Sequence, residues 1–135
     1  MKIRVAAVGK VKEAHLKTGI DTYLKRLRPV QPIEMIEVAS VEALPGEGFT
    51  IALTEAGETL DSEAFARRLD QLEREVRQIT FWIGPAEGFP KEKLKAANWR
   101  LSLSPMTFPH DLATLLLVEQ HYRATRIRRG EPYHK

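Results

Sequence analysis

The chain contains no cysteine, and only 7% of its 135 residues are aromatic. The absence of cysteine excludes disulfide bonds, thiolate zinc sites, iron–sulfur clusters and cysteine nucleophiles. No apolar run approaches the roughly 20 residues that a membrane-spanning helix requires. The first residues turn basic and polar again by Lys10, so they lack the apolar region of a signal peptide. These absences predict a soluble, cytoplasmic protein without a membrane partner, and the length suits one domain over residues 1–135.

Basic residues are concentrated at the two ends of the chain. Residues 1–28 hold eight Lys or Arg against two acidic residues, and residues 121–135 hold five against one. The net charge is only +3, so the middle of the chain is acidic. If the fold brings the two ends together, they form one positive surface suited to a polyanion such as RNA. Two solvated helix ends without any partner would account for the same pattern.

The spacing of apolar residues predicts strands that alternate with helices. Strands are expected over residues 2–8, 33–38, 49–54, 78–83 and 99–103. Helices are expected over 13–27, from a cap at Asp61 or Ser62 to Val76, over 91–97, and over 109–128. This alternation indicates an α/β domain with a mostly parallel sheet flanked by helices.

Three loops follow the carboxyl ends of predicted strands, where ligands bind in parallel sheets. They are residues 54–57, 84–90 and 102–110. Gly84 and Gly88 form no Walker or dinucleotide motif, although they would let backbone groups approach a flat ligand. Residues 102–110 form a stiff, apolar segment with two prolines, which suits an adenine ring. A plain turn and a packed crossover are the alternatives for the second and third loops.

The last predicted helix is apolar around most of its circumference, which in so small a protein predicts a subunit interface. Its apolar residues are Leu112, Leu115, Leu116, Leu117 and Val118. Among the histidines, His110 is expected to have a structural role at the helix start, and His15 and His121 are expected at the surface. No histidine and carboxylate pair has metal-ligand spacing, so no metal is predicted.

Five motifs occur in order along the chain: MKI with AVGK in residues 1–10, IGPAEG at 83–88, LSLSPMTFPH at 101–110, EQHYRA at 119–124 and GEPYHK at 130–135. Together they resemble the bacterial RlmH type, the pseudouridine N3-methyltransferases of large-subunit ribosomal RNA in the SPOUT class. The resemblance extends from the first residue to the last. It implies a carboxyl-terminal trefoil knot, a homodimer and S-adenosylmethionine as methyl donor.

The resemblance also assigns site residues by position. It implies cofactor contacts at Leu53, Gly84, Leu103, Ser104, Pro105, Met106, Thr107 and Phe108. The N3 position of pseudouridine must lose a proton as it attacks the methyl group, so a base or charge stabiliser is needed nearby. His134 is the tail residue that can take a proton near neutral pH, with Tyr133 positioning the nucleotide. The RNA phosphates are assigned to Arg123, Arg126, Arg128 and Arg129 together with the basic amino terminus.

The implied reaction is methylation of a pseudouridine in the helix 69 loop of 23S rRNA, within the assembled 70S ribosome. In a homodimer, the tail of one subunit could complete the pocket of the other. Two departures from the family pattern stand out. Residues 39–48 form only a loop where relatives carry a further helical stretch, and Thr114 stands where many relatives have arginine. Arg100 or a partner residue could supply the missing charge.

Two other hypotheses remain open at this stage. One is a non-catalytic, knotted, ribosome-binding dimer that has lost turnover, which Thr114 favours. The other is a small nucleotide-binding module that does not bind RNA, which the basic ends of the chain disfavour.

Overall fold

A computed structural model describes residues 1–135 as five strands and four α-helices, with a short 3₁₀ helix at Val41–Ala43 in the segment predicted to be only a loop. In chain order these are β1 (Lys2–Val8), α1 (Ala14–Leu27), β2 (Ile33–Val38), β3 (Phe49–Thr59), α2 (Ser62–Glu75), β4 (Gln78–Ile83), α3 (Lys91–Ala96), β5 (Trp99–Ser102) and α4 (His110–Arg128). The predicted α/β class is confirmed. No helix combines the length and the apolarity that crossing a bilayer requires.

The five strands form one sheet in the order β2-β1-β4-β3-β5, and all neighbouring pairs are parallel. The central strand β4 is buried over Ile79–Ile83 because it has a neighbour on each side and packing on each face. Since the strands are parallel, their carboxyl ends meet at one edge of the sheet. The loops that the sequence singled out therefore lie close together.

Strand β3 differs from its prediction. It continues to Thr59, so residues 54–57 lie within the strand and do not form a separate loop. Its pairing with β5 shifts register between Leu53 and Glu58. A Cβ atom on Gly57 would lie 2.7 Å from the carbonyl oxygen of Arg100, so only glycine fits this approach of two backbones. The polar residues after Thr54 concealed the strand because they carry no apolar alternation.

The sheet is covered unequally on its two faces. Helix α4 packs against both α1 and α2 on the face that holds the larger core, which includes Val5, Ile51, Phe81 and Leu117. The smaller cluster on the other face surrounds Trp82 and includes Leu94 of α3 among its neighbours. Contacts with α1 and α2 account for much of the apolar surface of α4. The predicted subunit interface on this helix stays a prediction.

The prediction that His121 lies at the surface is wrong. This α4 side chain is 2% exposed, and its ring centroid lies 4.9 Å from that of Phe81 and 5.5 Å from that of Phe65. Burial, and then the charge of Arg128, lower the pKa of His121 to about 3. The residue therefore acts as an uncharged core ring. His15, in contrast, is exposed as expected.

Candidate active site

A cavity of about 280 Å³ opens at the carboxyl ends of β4 and β5, beside Leu53, Thr54 and Glu55 in the middle of β3. The loop after β4 and the loop after β5 form most of its wall. Seven of the eight residues predicted to contact a cofactor line this cavity, and Pro105 does not. The seven are Leu53, Gly84, Leu103, Ser104, Met106, Thr107 and Phe108. The sheet thus brings together residues that lie as far apart in the sequence as Leu53 and Phe108.

The two loops present backbone groups that can bind a ligand. The N–H of Gly88 donates to the Pro85 carbonyl at 2.8 Å, and the N–H of Met106 donates to Ser104 Oγ at 3.0 Å. The other N–H groups of residues 84–89 and 103–108 form no backbone hydrogen bond in these loops. At Gly84, a Cβ atom would lie 3.0 Å from the Phe89 ring, so glycine lets this aromatic ring fold over the loop.

The wall combines apolar and acidic side chains. Ile83, Phe89 and Leu94 are its largest apolar members beyond the predicted set, and Glu55 and Glu87 are exposed carboxylates. An apolar wall with free backbone donors suits a planar heterocycle, and carboxylates favour a positively charged group nearby. Met106 at the rim has 74% of its surface exposed, which is unusual for a large apolar side chain.

His110 lines the cavity in addition to starting α4. Its Nδ1 lies 3.0 Å from Oδ1 of Asp111, and its buried Nε2 has no hydrogen-bond partner within the chain. The structural role expected for His110 at the helix start did not include this position in the wall. The strand-end rule had selected its loop, and no local pattern distinguishes a wall residue from a helix-start residue.

Asp111 was not singled out from the sequence, yet it joins two elements beside the cavity. Its Oδ2 accepts hydrogen bonds from the backbone N–H groups of Lys12 at 2.8 Å and Glu13 at 3.3 Å, where α1 begins. The residue is only 6% exposed. A carboxylate at a helix start is favourable because it satisfies amides that have no partner within the helix. No signal near residue 111 in the sequence reveals a partner about 100 positions away.

The carboxyl-terminal tail lies against α4 and outside the cavity. The Tyr133 hydroxyl donates to Oε2 of Glu119 at 2.8 Å and lies 3.0 Å from the Tyr23 hydroxyl. Burial, with the hydrogen bonds to Tyr23 and Glu119, raises the pKa of Tyr133. Arg123 donates to His134 Nδ1 at 3.0 Å, and His134 Nε2 lies 3.5 Å from Glu63. Within one chain, the two catalytic candidates and the cavity are therefore separate.

All four arginines assigned to RNA pair with carboxylates of their own chain. Arg123 contacts Glu119 at 2.8 Å, Arg128 contacts Asp70 at 3.0 Å and Glu73, and Arg126 contacts Glu131. Arg129 lies 2.9 Å from Glu131, and its side chain is 55% exposed. These four arginines therefore carry less free positive charge than the sequence suggests.

Thr114, which stands in place of the family arginine, and Arg100, which could supply the missing charge, both form hydrogen bonds to backbone carbonyls. Thr114 is fully buried and donates to the His110 carbonyl at 2.9 Å. Arg100 donates to the carbonyls of Leu94 and Ala97 at 2.9 and 3.0 Å, so it caps the end of α3. No cluster of three or more metal-ligating side chains is present.

A second cavity of about 410 Å³ lies between α2 and α4 and shares Leu103 and Phe108 with the first. Two of its polar side chains already satisfy each other, because Ser62 Oγ donates to Gln120 Oε1 at 2.6 Å. Of the two loops that form the first cavity, only Leu103 and Phe108 reach it.

A parallel α/β sheet with an open-loop cavity at its carboxyl edge defines a protein of the nucleotide- or cofactor-binding class. Within that class, the chain belongs to the SPOUT methyltransferase family. The family model described as "Predicted SPOUT methyltransferase" matches residues 1–134.

The chain is similar over nearly its whole length to proteins named "Ribosomal RNA large subunit methyltransferase H". The protein from Synechococcus sp. (strain CC9605) is 45% identical over 142 residues, which cover 99% of this chain and 96% of the relative. The protein from Carboxydothermus hydrogenoformans is 40% identical over 159 residues, and the alignment covers both chains completely. The second alignment is longer than this chain, which agrees with a segment that this sequence lacks.

Two solved structures share the fold at low sequence identity. A probable methylase family protein from Haemophilus influenzae has a TM-score of 0.62 and 11% identity, over 98% of this chain and 70% of that one. TrmJ from Z. mobilis has a TM-score of 0.56 and 10% identity, over 100% of this chain and 73% of that one. At such identities the likeness concerns the fold alone.

Proposed function

We propose that this chain transfers a methyl group from S-adenosylmethionine to large-subunit ribosomal RNA in the cytoplasm. Membership of the SPOUT methyltransferase family and the names of the similar proteins support this reaction. The observation that carries the proposal is the cavity at the carboxyl edge, which collects seven of the eight residues expected to hold the cofactor.

The residues of the cavity fit S-adenosylmethionine. The apolar wall with Leu103 and Phe108 suits the adenine ring, and the unpaired loop N–H groups suit its ring nitrogens and the ribose oxygens. Glu55 and Glu87 favour the positive charges of the sulfonium and ammonium groups. When bound, the cofactor supplies an electrophilic methyl group that a correctly oriented nucleophile attacks in line.

The finer proposal concerns the target atom, which we take to be N3 of a pseudouridine in the helix 69 loop of 23S rRNA. This imide nitrogen must lose its proton before or during attack. Tyr133 would position the base by redirecting to it the hydrogen bond that its hydroxyl now donates to Glu119. His134 is then the tail group that takes the proton.

A homodimer would bring the tail and the cavity together. In one chain, Tyr133 and His134 pack against α4, away from the cavity. The tail of one copy would complete the cavity of the other, with the trefoil knot of the family holding the cavity loops. Residues 1–135 act as one domain in this proposal. Arg123, Arg126 and Arg128 contact RNA after exchanging a carboxylate for phosphate, and the more exposed Arg129 contacts it directly.

The test is transfer of radiolabelled methyl from S-adenosylmethionine to ribosomes that lack the modification. Assembled 70S particles, free 50S subunits and particles without pseudouridines are compared. We expect label at N3 of the helix 69 pseudouridine in 70S particles and none in particles without pseudouridines. A chain that binds the cofactor and the ribosome but transfers no label would instead be the non-catalytic ribosome-binding dimer.

Replacement His134→Ala tests the assigned role of the tail. We expect turnover to fall roughly a hundredfold, the lower range for losing a group that transfers a proton. Affinity for S-adenosylmethionine, measured by calorimetry, should be retained because His134 does not line the cavity. His15→Ala is the matched control, since His15 is an exposed histidine on α1. Wild-type turnover in His134→Ala would contradict the assignment.

A further inference from the structure

The loop between β1 and α1, residues 9–13, is held rigidly at its backbone. At its start, Gly9 has a φ of 95° and its N–H donates to the Val38 carbonyl at 2.8 Å. In its middle, the N–H of Val11 donates to a Glu37 carboxylate oxygen at 3.3 Å. At its end, Asp111 accepts from the N–H groups of Lys12 and Glu13. Contacts from β2 and from α4 thus fix a segment that has no regular structure.

This loop borders the cavity proposed for the cofactor. A Cβ atom built on Gly9 would lie 3.9 Å from Nε2 of His110, and His110 belongs to the cavity wall. The backbone N–H of Lys12 donates a hydrogen bond to Asp111, the residue that follows His110. Because β1 is parallel to β4, the loop leaves the sheet at the same edge as the loop that carries Gly84.

Lys10 and Lys12 are the cationic side chains of this loop. Both are exposed, and no carboxylate forms an ion pair with either of them. The acidic groups nearby are the exposed Glu13, Glu37, which accepts the bond from the Val11 N–H, and the buried Asp111, which accepts from the N–H of Lys12. In contrast, every one of the four arginines at the end of α4 already pairs with a carboxylate. The β1–α1 loop therefore carries free positive charge beside the cavity, as do the exposed Lys91 and Lys95 of α3.

We propose that Lys10 and Lys12 bind RNA phosphates next to the target nucleotide, so that the β1–α1 loop docks the substrate at the mouth of the cavity. The inference rests on the proposed function, which makes RNA the substrate. A fixed backbone with two flexible ammonium groups suits phosphates, because lysine binds them as a point charge without demanding one geometry. Such contacts position the RNA and contribute affinity through counterion release, and the cavity and tail read the base.

The test uses the double variant Lys10→Gln/Lys12→Gln and 70S ribosomes that lack the modification as the probe. Binding is measured between 50 and 200 mM KCl, roughly the range over which phosphate contacts dominate the salt dependence. We expect about tenfold weaker binding at the low salt concentration and a salt slope smaller by roughly one for each lost contact. In methyl transfer, KM for ribosomes should rise, and kcat at saturating ribosome should change little.

The matched control is Arg67→Gln/Arg77→Gln, which removes the same net charge. Both arginines are exposed and unpaired; Arg67 lies on α2, and Arg77 precedes β4 at the edge of the sheet opposite the cavity. We expect ribosome affinity of the control to stay within about twofold of wild type, because long-range charge effects are screened beyond roughly 10 Å. An equal loss in both double variants would overturn the proposal, since net charge alone would then explain it.

The outcomes separate this inference from the proposed function. If wild type methylates ribosomes and Lys10→Gln/Lys12→Gln binds them as tightly, the docking surface is wrong and the reaction stands. If wild type transfers no methyl group, yet the lysine variant loses ribosome affinity and salt slope, the reaction is wrong and the docking surface stands.

Discussion

At the scale of single residues, His121 shows how burial decides the chemistry of a side chain. It packs edge-to-face against Phe65 and Phe81, and its pKa is lowered to about 3 from an ordinary value of 6.5. Between these two pH values the unfolded chain binds a proton and the folded chain does not. The stability that this residue contributes is therefore complete above about pH 6.5 and is lost as the pH falls toward 3.

We predict that the free energy of unfolding decreases below pH 6.5 by as much as about 1.4 kcal/mol per pH unit from this one group. His121→Phe should flatten the dependence, because phenylalanine keeps the ring contacts and has no titrating nitrogen. Urea unfolding at several pH values between 4 and 7.5 measures the effect. His15→Gln should retain the wild-type slope, and an equal flattening in that exposed control would contradict the prediction.

At the scale of secondary-structure elements, one carboxylate links the start of α4 to the start of α1. Asp111→Ala leaves the N–H groups of Lys12 and Glu13 without their acceptor, and Asp111 itself is buried. We expect a loss of about 2 kcal/mol, within the range for hydrogen bonds to a charged group. Thermal or urea unfolding measures it.

The helix cap at Asp61 is the natural comparison for Asp111. Asp61 accepts a hydrogen bond from the N–H of Ala64 at 2.7 Å, but the residue is exposed. Asp61→Ala should cost only about 1 kcal/mol, as is usual for an exposed N-cap. Because Asp111 also fixes the β1–α1 loop, Asp111→Ala should weaken ribosome binding and Asp61→Ala should not. Equal effects of the two variants on ribosome binding would argue against the anchoring role.

The elements themselves were largely predictable, and the exceptions have physical causes. The bounds of β1, β2 and β4 match their predictions, and β1 and β4 each end directly before a glycine. The second half of β3 was missed, since its pairing depends on a register shift that only the position of β5 reveals. His121 was misassigned because one face of α4 contacts α2 and the sheet, which helical spacing alone does not specify.

At the scale of the whole molecule, the separation of tail and cavity predicts a site shared between two copies. A mixed dimer is purified with two different affinity tags, one chain carrying His134→Ala and the other Gly84→Val. A side chain at Gly84 would meet the Phe89 ring at 3.0 Å and project into the cavity, so it should block the cofactor. Each mixed dimer would retain one intact site.

We expect about half of the wild-type rate from the mixed dimer, because one of its two equivalent sites is intact. Either variant as a homodimer should be nearly inactive. If tail and cavity of the same chain act together, the mixed dimer has no intact site and shows no activity, which would contradict the shared site. Circular dichroism and cofactor binding of each homodimer separate loss of folding from loss of the site.

The candidate site, like the secondary-structure elements, was predictable in part. The glycines after β4 and the prolines before α4 marked two loops, and the strand-end rule placed them at one edge, where the cavity lies. The wall position of His110 and the bridge from Asp111 to Lys12 were not predictable, because they depend on contacts between residues about 100 positions apart.

The sequence by itself determined the α/β alternation, the family and the loops that form the cavity. These follow from apolar spacing, glycine, proline and short motifs, which are properties of neighbouring residues. Only the tertiary structure decided which charges are free, which histidine is buried, and that the tail lies apart from the cavity. The physical reason is that pairing and burial depend on which distant residues the packed sheet and helices bring into contact.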